Sequence, residues 1–146
     1  MRSGIEDREL TPDHYDGKEV RLDLRAKTSD GIVLNIEVQA QSQDHLDKRI
    51  MCYWAKLYSR EIRRGEDYIK LHPTYIIEIM NFNFIPESPL YINDAQVIVS
   101  ATGKPFNGEM KLFFIEIPKW NALKRKANST LERWMAFFAN QEYRRN

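Results

Sequence analysis

The sequence predicts an α/β fold, a mixed β-sheet flanked by helices, from three patterns. Lys18–Lys27 and Ile32–Ala40 alternate apolar and polar residues with the period of two expected of half-buried strands. Gln43–Arg64 repeats its apolar residues at helical spacing. Thr74–Phe82 is dense in Ile, Tyr and Phe, as in a central strand buried on both faces. With 146 residues, 42% of them hydrophobic and 12% aromatic, residues 1–146 are expected to form one domain with a real core.

The first strand presents Val20, Leu22, Leu24 and Ala26 on one side and Arg21, Asp23 and Arg25 on the other. The second presents Ile32, Leu34, Ile36 and Val38 against Val33, Asn35, Glu37 and Gln39. Opposed residues of an antiparallel pair point to the same side, so both apolar sets face one core only if the connecting loop holds an odd number of residues. Ser29-Asp30-Gly31 meets that condition, closed by Thr28 opposite Ile32 and with Gly31 in the left-handed conformation of a bulge. This register sets Asp23 across from Glu37 and Arg21 across from Gln39, with the side-chain roots of the two acids roughly 5 Å apart.

Carboxylates so placed repel one another unless a cation lies between or beside them. Mg²⁺ takes oxygen ligands from one or two carboxylates, waters and substrate phosphate, the set a phosphodiesterase needs. A solvated strand face, with Asp23 paired to Arg21 or Arg25 and Glu37 to a lysine, accounts for the same spacing. The residues alone leave both readings open.

The helix over Gln43–Arg64 has Ser42 as N-cap and Gly65 as its stop. Leu46, Ile50, Tyr53, Trp54, Leu57 and Ile62 form its buried stripe, with Tyr53 and Trp54 read as core rather than as base-stacking rings. His45, Lys48, Arg49, Lys56, Arg60 and Arg63 lie on another side, the best phosphate-facing surface in the chain because the helix follows the acidic strand directly. Cys52, between Met51 and Tyr53, reads as a small buried hydrophobe. Pro73 can only open the strand over Thr74–Phe82, and Glu78 within it could approach the site, although a salt-bridged strand carboxylate is the commoner outcome. Asn83–Pro89 is a loop. Gln96–Ala101 and Met110–Ile117 are candidate paired strands, in a sheet order that sequence leaves open. A last helix has Ser129 as cap and Glu132 as its box partner, and buries Leu131, Trp134, Met135 and Phe138.

Several classes are excluded. A formal charge of +1, from 22 basic and 21 acidic residues, does not describe a broadly basic nucleic-acid binder, so affinity for DNA has to come from local clustering. A single cysteine excludes a disulfide framework and a thiolate cluster and fits a reducing cytosol. His14, His45 and His72 lack zinc-ligand spacing, and no glycine-rich phosphate loop is present. No signal peptide and no membrane span is legible, so a cytoplasmic protein is expected.

The run Leu22–Lys27 through Asp30-Gly31 and Leu34–Gln39 resembles the acidic hairpin of the PD-(D/E)XK nuclease superfamily, and more narrowly its transposase-associated, recombination-promoting branch. Lys48-Arg49-Ile50 with Tyr53–Ser59, Gly65–Tyr68, Pro73–Ile77 with Asn81-Phe82, Phe114–Pro118 and Leu131–Trp134 match the same branch in order. The resemblance implies a restriction-endonuclease-like mixed β-sheet flanked by helices and an endonuclease dependent on Mg²⁺ or Mn²⁺ that acts on DNA in transposition or recombination. Asp23 and Glu37 match the metal-binding acids, and Gln39, the third expected catalytic residue, stands where the superfamily usually has lysine and would orient the attacking water or a ligand by hydrogen bonding. The positive charge is then expected from Arg25, Lys48 or Arg49, with Arg49 neutralising phosphate, and Arg25, Lys48, Arg49 and Lys56 are the expected DNA-binding residues.

Members of the branch usually carry a longer N-terminal part whose helix packs on the sheet. The resemblance therefore implies a shortened copy, with Thr11–Gly17 as a turn-rich connector and any helix before it limited to a turn or two. An uncovered apolar patch would drive self-association into a homo-oligomer. Two rivals to the enzyme remain: a catalytically silent DNA-binding or assembly module, and a protein-interaction domain whose acidic hairpin is plain surface.

Overall fold

Alternation in the first two strands folds as the hairpin it predicts. A computed structural model describes residues 9–10 and 22–141 of the chain. The elements are β1 (Glu9–Leu10), β2 (Leu22–Lys27), β3 (Val33–Gln39), α1 (Leu46–Ser59), β4 (Thr74–Met80), β5 (Ile92–Gln96), β6 (Ile98–Val99), β7 (Lys104–Pro105), β8 (Met110–Glu116), α2 (Ile117–Ala122) and α3 (Thr130–Gln141), with a 3₁₀ turn at Tyr68–Lys70. Six strands form a mixed sheet in the order β1-β2-β3-β4-β8-β5. The pairs β3/β4 and β4/β8 are parallel and the others antiparallel. β6 and β7 make a separate two-stranded hairpin.

The β2/β3 register is the one required by the three-residue loop: Asp23 opposes Glu37 and Lys27 opposes Val33. Thr28 N–H donates to Ile32 O at 2.9 Å, and Gly31 has φ 90. A side chain at Gly31 would place its Cβ 2.9 Å from His72 Nδ1, so both conformation and space require glycine. The proposed opposition of Arg21 and Gln39, and the connector over residues 11–17, lie outside the described residues. Upstream, Glu9–Leu10 is a strand paired with β2 and not part of a short helix.

Two layers cover the sheet. On one face Leu46 and Ile50 of α1 pack on Ile76, Met80, Met110, Leu112 and Phe114. On the other, Ile79 and Ile115 meet Ile117, Trp120 and Met135 of the C-terminal helices. Each fully buried side chain of this kind contributes about 1.5–3 kcal/mol. The polar face of β3 lies under α1, so it is not solvated surface: Asn35 is fully buried and Gln39 is 4% exposed. The hairpin's apolar face instead lines a trough of about 710 Å³, bounded by Leu24, Ile36, Val38 and Phe113 together with Leu131 and Trp134.

Several boundaries differ from the sequence reading. α1 begins at Leu46 behind His45, which has φ 58 and makes no side-chain cap, so Ser42 is not the N-cap. It ends at Ser59, whose hydroxyl turns back to Ala55 O at 2.8 Å, while Glu61 leaves the helical path to pair with Lys27 at 3.3 Å. β8 pairs with Ile92–Gln96 and not with a strand at Gln96–Ala101. The sequence reading assigned no element to residues 90–95, where Asn93 of β5 bonds through its amide to Leu90 O and Glu116 Oε1 at 2.9 and 3.1 Å. α2 was not foreseen because it is one short turn and a half with Pro118 in its first turn, where a missing N–H costs nothing. Ser129 caps α3 as expected, Glu132 N–H donating to Ser129 Oγ at 3.1 Å, but the Glu132 carboxylate reaches one residue further back than a capping box requires, accepting from Asn128 N–H at 2.7 Å. Trp134 is exposed and not core, since it stands at the mouth of the trough while Met135 takes the buried position.

Candidate functional site

Strand register places Asp23, Glu37 and Glu78 in one row across β2, β3 and β4, because Asp23 opposes Glu37 and the parallel pairing of β3 with β4 sets Glu37 beside Glu78. Helix α1 roofs that row. At about 100° per residue, Leu46, Ile50 and Leu57 point down onto the sheet, Trp54 and Tyr58 fall on one flank, and Arg49, Tyr53 and Lys56 fall on the other, above the hairpin. The result is a cavity of about 310 Å³ lined by Asp23, Glu37, Gln39 and Glu78 from below and by Arg49, Tyr53 and Lys56 from above.

Tyr53 is the link between helix and hairpin. Its hydroxyl donates to Asp23 Oδ2 at 3.0 Å and accepts from Arg25 Nη2 at 2.8 Å, and the Arg25 guanidinium also lies 5.7 Å from the ring centroid. Asp23 Oδ1 is then left buried with no hydrogen-bond partner. Burial, reinforced by the Asp23 charge and only partly offset by Arg25, pushes the Tyr53 hydroxyl up from 10.0 to about 12. It remains a neutral donor throughout the physiological range.

This raised value fixes the sign of a pH effect. Between pH 10.0 and about 12 the folded protein keeps a proton that the unfolded chain has released, so the stabilisation is complete below pH 10.0 and is lost as pH rises. Urea unfolding at successive alkaline pH values should show a steeper fall for wild type than for Tyr53→Phe. At neutral pH, Tyr53→Phe should itself cost about 1.5–3 kcal/mol, since it strips a charged donor and a charged acceptor of a shared partner. Equal alkaline slopes would remove Tyr53 from the network.

The remaining expected residues divide. Gln39 lies in the cavity and donates from Nε2 to Glu78 Oε2 at 2.7 Å and to Glu37 Oε2 at 3.4 Å. Arg49, bonded through Nη1 to Gln43 Oε1, and Lys56 line the rim. Arg25 is turned to Tyr53 and toward a second hollow with Lys27, Arg60 and Glu61, and Lys48 is exposed outside the cavity lining. Cys52 is exposed on the cavity side and is not a buried hydrophobe. Two residues beyond Ile50, it has rotated off the apolar stripe. Trp54 is structural, donating to Thr74 O at 2.8 Å and stacking on Tyr58 at 4.8 Å.

Sequence reasoning weighed Glu78 as able to approach the site but preferred a salt-bridged strand carboxylate, whereas it lines the cavity, and the polar role of Tyr53 was missed. Glu78 is 1% exposed within an apolar strand, and the only available signal was that isolated charge. Tyr53 was indistinguishable from core by spacing. Among the described residues, no three His, Cys, Asp or Glu side chains converge on a point that could hold a cation. The row explains this: neighbouring strands lie about 4.8 Å apart, so three carboxylates side by side span roughly 10 Å. Asp23 and Glu37 with water are nonetheless a sufficient protein contribution for Mg²⁺, which takes one or two carboxylates. Among the described residues, no helix is long and apolar enough to cross a membrane.

Comparison with known proteins agrees with the geometry. The family model described as PD-(D/E)XK nuclease family transposase matches residues 3–146. No curated protein and no solved structure gave a match. A match over nearly the whole length, on a mixed helix-flanked sheet whose acidic hairpin has the register the sequence required, decides the family: this chain belongs to the PD-(D/E)XK nuclease family transposases.

Proposed function

We propose that the protein is a metal-dependent DNA endonuclease acting in transposition or recombination, with Asp23 and Glu37 as the residues that hold Mg²⁺ or Mn²⁺. The observation that carries this reading is Asp23 Oδ1, a carboxylate oxygen buried at the cavity without a partner, directly across the hairpin from Glu37. Such an orphaned charge is costly in a protein that never fills the site, and a hard divalent cation is the ligand its chemistry fits. When bound, the cation supplies acidity to a water and positive charge to the phosphodiester oxygens.

The chain's own residues do the rest. Tyr53, clamped by Arg25, holds Asp23 Oδ2 and so fixes the carboxylate at the cavity. Gln39 stands between Glu37 and Glu78 and keeps those acids in place. Arg49 and Lys56 on the rim neutralise backbone phosphates, while Lys48, further along the exposed helix face, adds longer-range attraction. Arg25 serves the site chiefly through Tyr53.

Nicking of supercoiled plasmid with Mg²⁺ or Mn²⁺, against a chelator control, tests the proposal. No metal-dependent product would favour the silent DNA-binding module, whose supporting observation is Gln39 in place of lysine. DNA binding has its own expectation. Arg49→Ala and Lys56→Ala should each weaken affinity by a similar factor for any sequence and reduce the slope of log affinity against log salt by about 1. Fluorescence anisotropy across a salt series measures it, and unchanged slopes would move the DNA path off α1.

A further inference from the structure

We infer that Glu78 is a positioning residue that, together with Glu37, commits the amide hydrogens of Gln39, so that Gln39 serves the site through its carbonyl oxygen and not as a donor standing in for lysine. The inference rests on the metal-dependent reading of the site. Gln39 is 4% exposed at the end of β3, and its Nε2 bonds Glu78 Oε2 at 2.7 Å and Glu37 Oε2 at 3.4 Å. A primary amide has two N–H groups, and a carboxylate accepts only, so both hydrogens are spoken for and the orientation of the amide is chemically determined. Its oxygen is the atom left for anything that enters the cavity.

The two contacts are unequal. At 2.7 Å the bond to Glu78 is short and charge-assisted, whereas 3.4 Å to Glu37 is near the limit of a hydrogen bond. Glu78 is therefore the acid that mainly holds the amide in place. Glu78 also sits where no carboxylate would be chosen for packing alone, 1% exposed in the strand Thr74–Met80 between Ile77 and Ile79. A lysine role in stabilising phosphate charge needs a free donor, which this arrangement does not leave. An amide oxygen in the cavity that Asp23 and Glu37 also line instead extends an all-oxygen set suited to a hard cation.

Two measurements on the full chain decide it. The side-chain amide protons of Gln39, assigned by their loss in Gln39→Met, should exchange slowly with water in metal-free ¹⁵N-labelled protein. Glu78→Gln should make that exchange fast, and an unchanged rate would overturn the lock whatever the site binds. By calorimetry, Glu78→Gln should weaken Mn²⁺ binding about tenfold, as loss of an orienting partner does. Gln39→Met should weaken it similarly, and the double variant should be no weaker than Gln39→Met alone. Additive losses would mean that Glu78 acts by its own charge and would overturn the positioning role. If wild type binds no Mn²⁺, the endonuclease reading and the ligand role of the Gln39 oxygen both fall, while the exchange data alone still decide the amide lock.

Discussion

Asp23→Ala and Glu37→Ala are each expected to reduce metal-dependent plasmid nicking by about three orders of magnitude or more. The figure follows from the several kcal/mol that a bound cation contributes to a phosphoryl transition state, at about 1.36 kcal/mol per tenfold in rate. Each substitution removes one of the two acids that face one another across the β2/β3 hairpin, and neither has a substitute within reach: Glu78 is a strand further on and engaged by Gln39. The loss should not come from unfolding. Asp23→Asn keeps an oxygen to accept from Tyr53 and relieves the opposed like charges, so in chelator it should be as stable as wild type or more stable by about 0.2–1 kcal/mol. Wild type should then gain melting temperature as Mn²⁺ is raised, and Asp23→Asn little. Robust nicking by the alanine variants would remove the site assignment. A mutant clearly less stable in chelator, with wild type indifferent to metal, would make Asp23 a structural group held by Tyr53 and Arg25.

Lys119→Ala is expected to cost about 3–5 kcal/mol of folding stability, the usual consequence of stranding one member of a buried ion pair. Its partner Glu116 has no solvent exposure, with Lys119 Nζ 2.7 Å from Glu116 Oε2. The same carboxylate accepts from Phe84 N–H at 2.9 Å and from the Asn93 amide at 3.1 Å, and Lys119 also donates to Ile85 O at 2.6 Å. One charge pair thus ties the loop after β4, the edge strand β5 and helix α2 to the end of β8. Replacing both members with neutral groups of similar shape, Glu116→Gln with Lys119→Met, should restore most of the loss, because the amide oxygen still serves the Phe84 N–H and no unpaired charge is buried. Urea denaturation of the single and double variants measures both values. A loss under about 1 kcal/mol for Lys119→Ala would show that Glu116 is satisfied by its neutral donors alone.

How much of the site was legible depended on how local its determinants were. Asp23 opposite Glu37 could be read because an antiparallel hairpin with a three-residue loop has one register compatible with its hydrophobic alternation, and Gly31 marked where the bulge falls. Arg49 and Lys56 could be placed beside the acids because α1 follows β3 directly and its wheel has a fixed period. Glu78 could not be placed. Its partner strand is parallel, joined through a helix and a long connection, and no turn sets the register of such a pair. Tyr53 was placed correctly on the buried stripe, but periodicity does not report whether a phenol packs by its ring or also bonds through its oxygen.

By itself the sequence determined the α/β class, the acidic hairpin with its register, the helix that roofs it and, through motif order, the family. Each of these rests on interactions between residues near in sequence or on a repeating period. Tertiary structure alone decided that the hairpin's polar face is the covered one, that β8 joins β4 and β5, that Glu116 staples the far end of the sheet, and that Tyr53, Arg25 and Glu78 converge on the acids. Those facts depend on which distant strands lie side by side. A buried polar group looks the same in sequence as an exposed one until the partner that satisfies it arrives from another part of the chain.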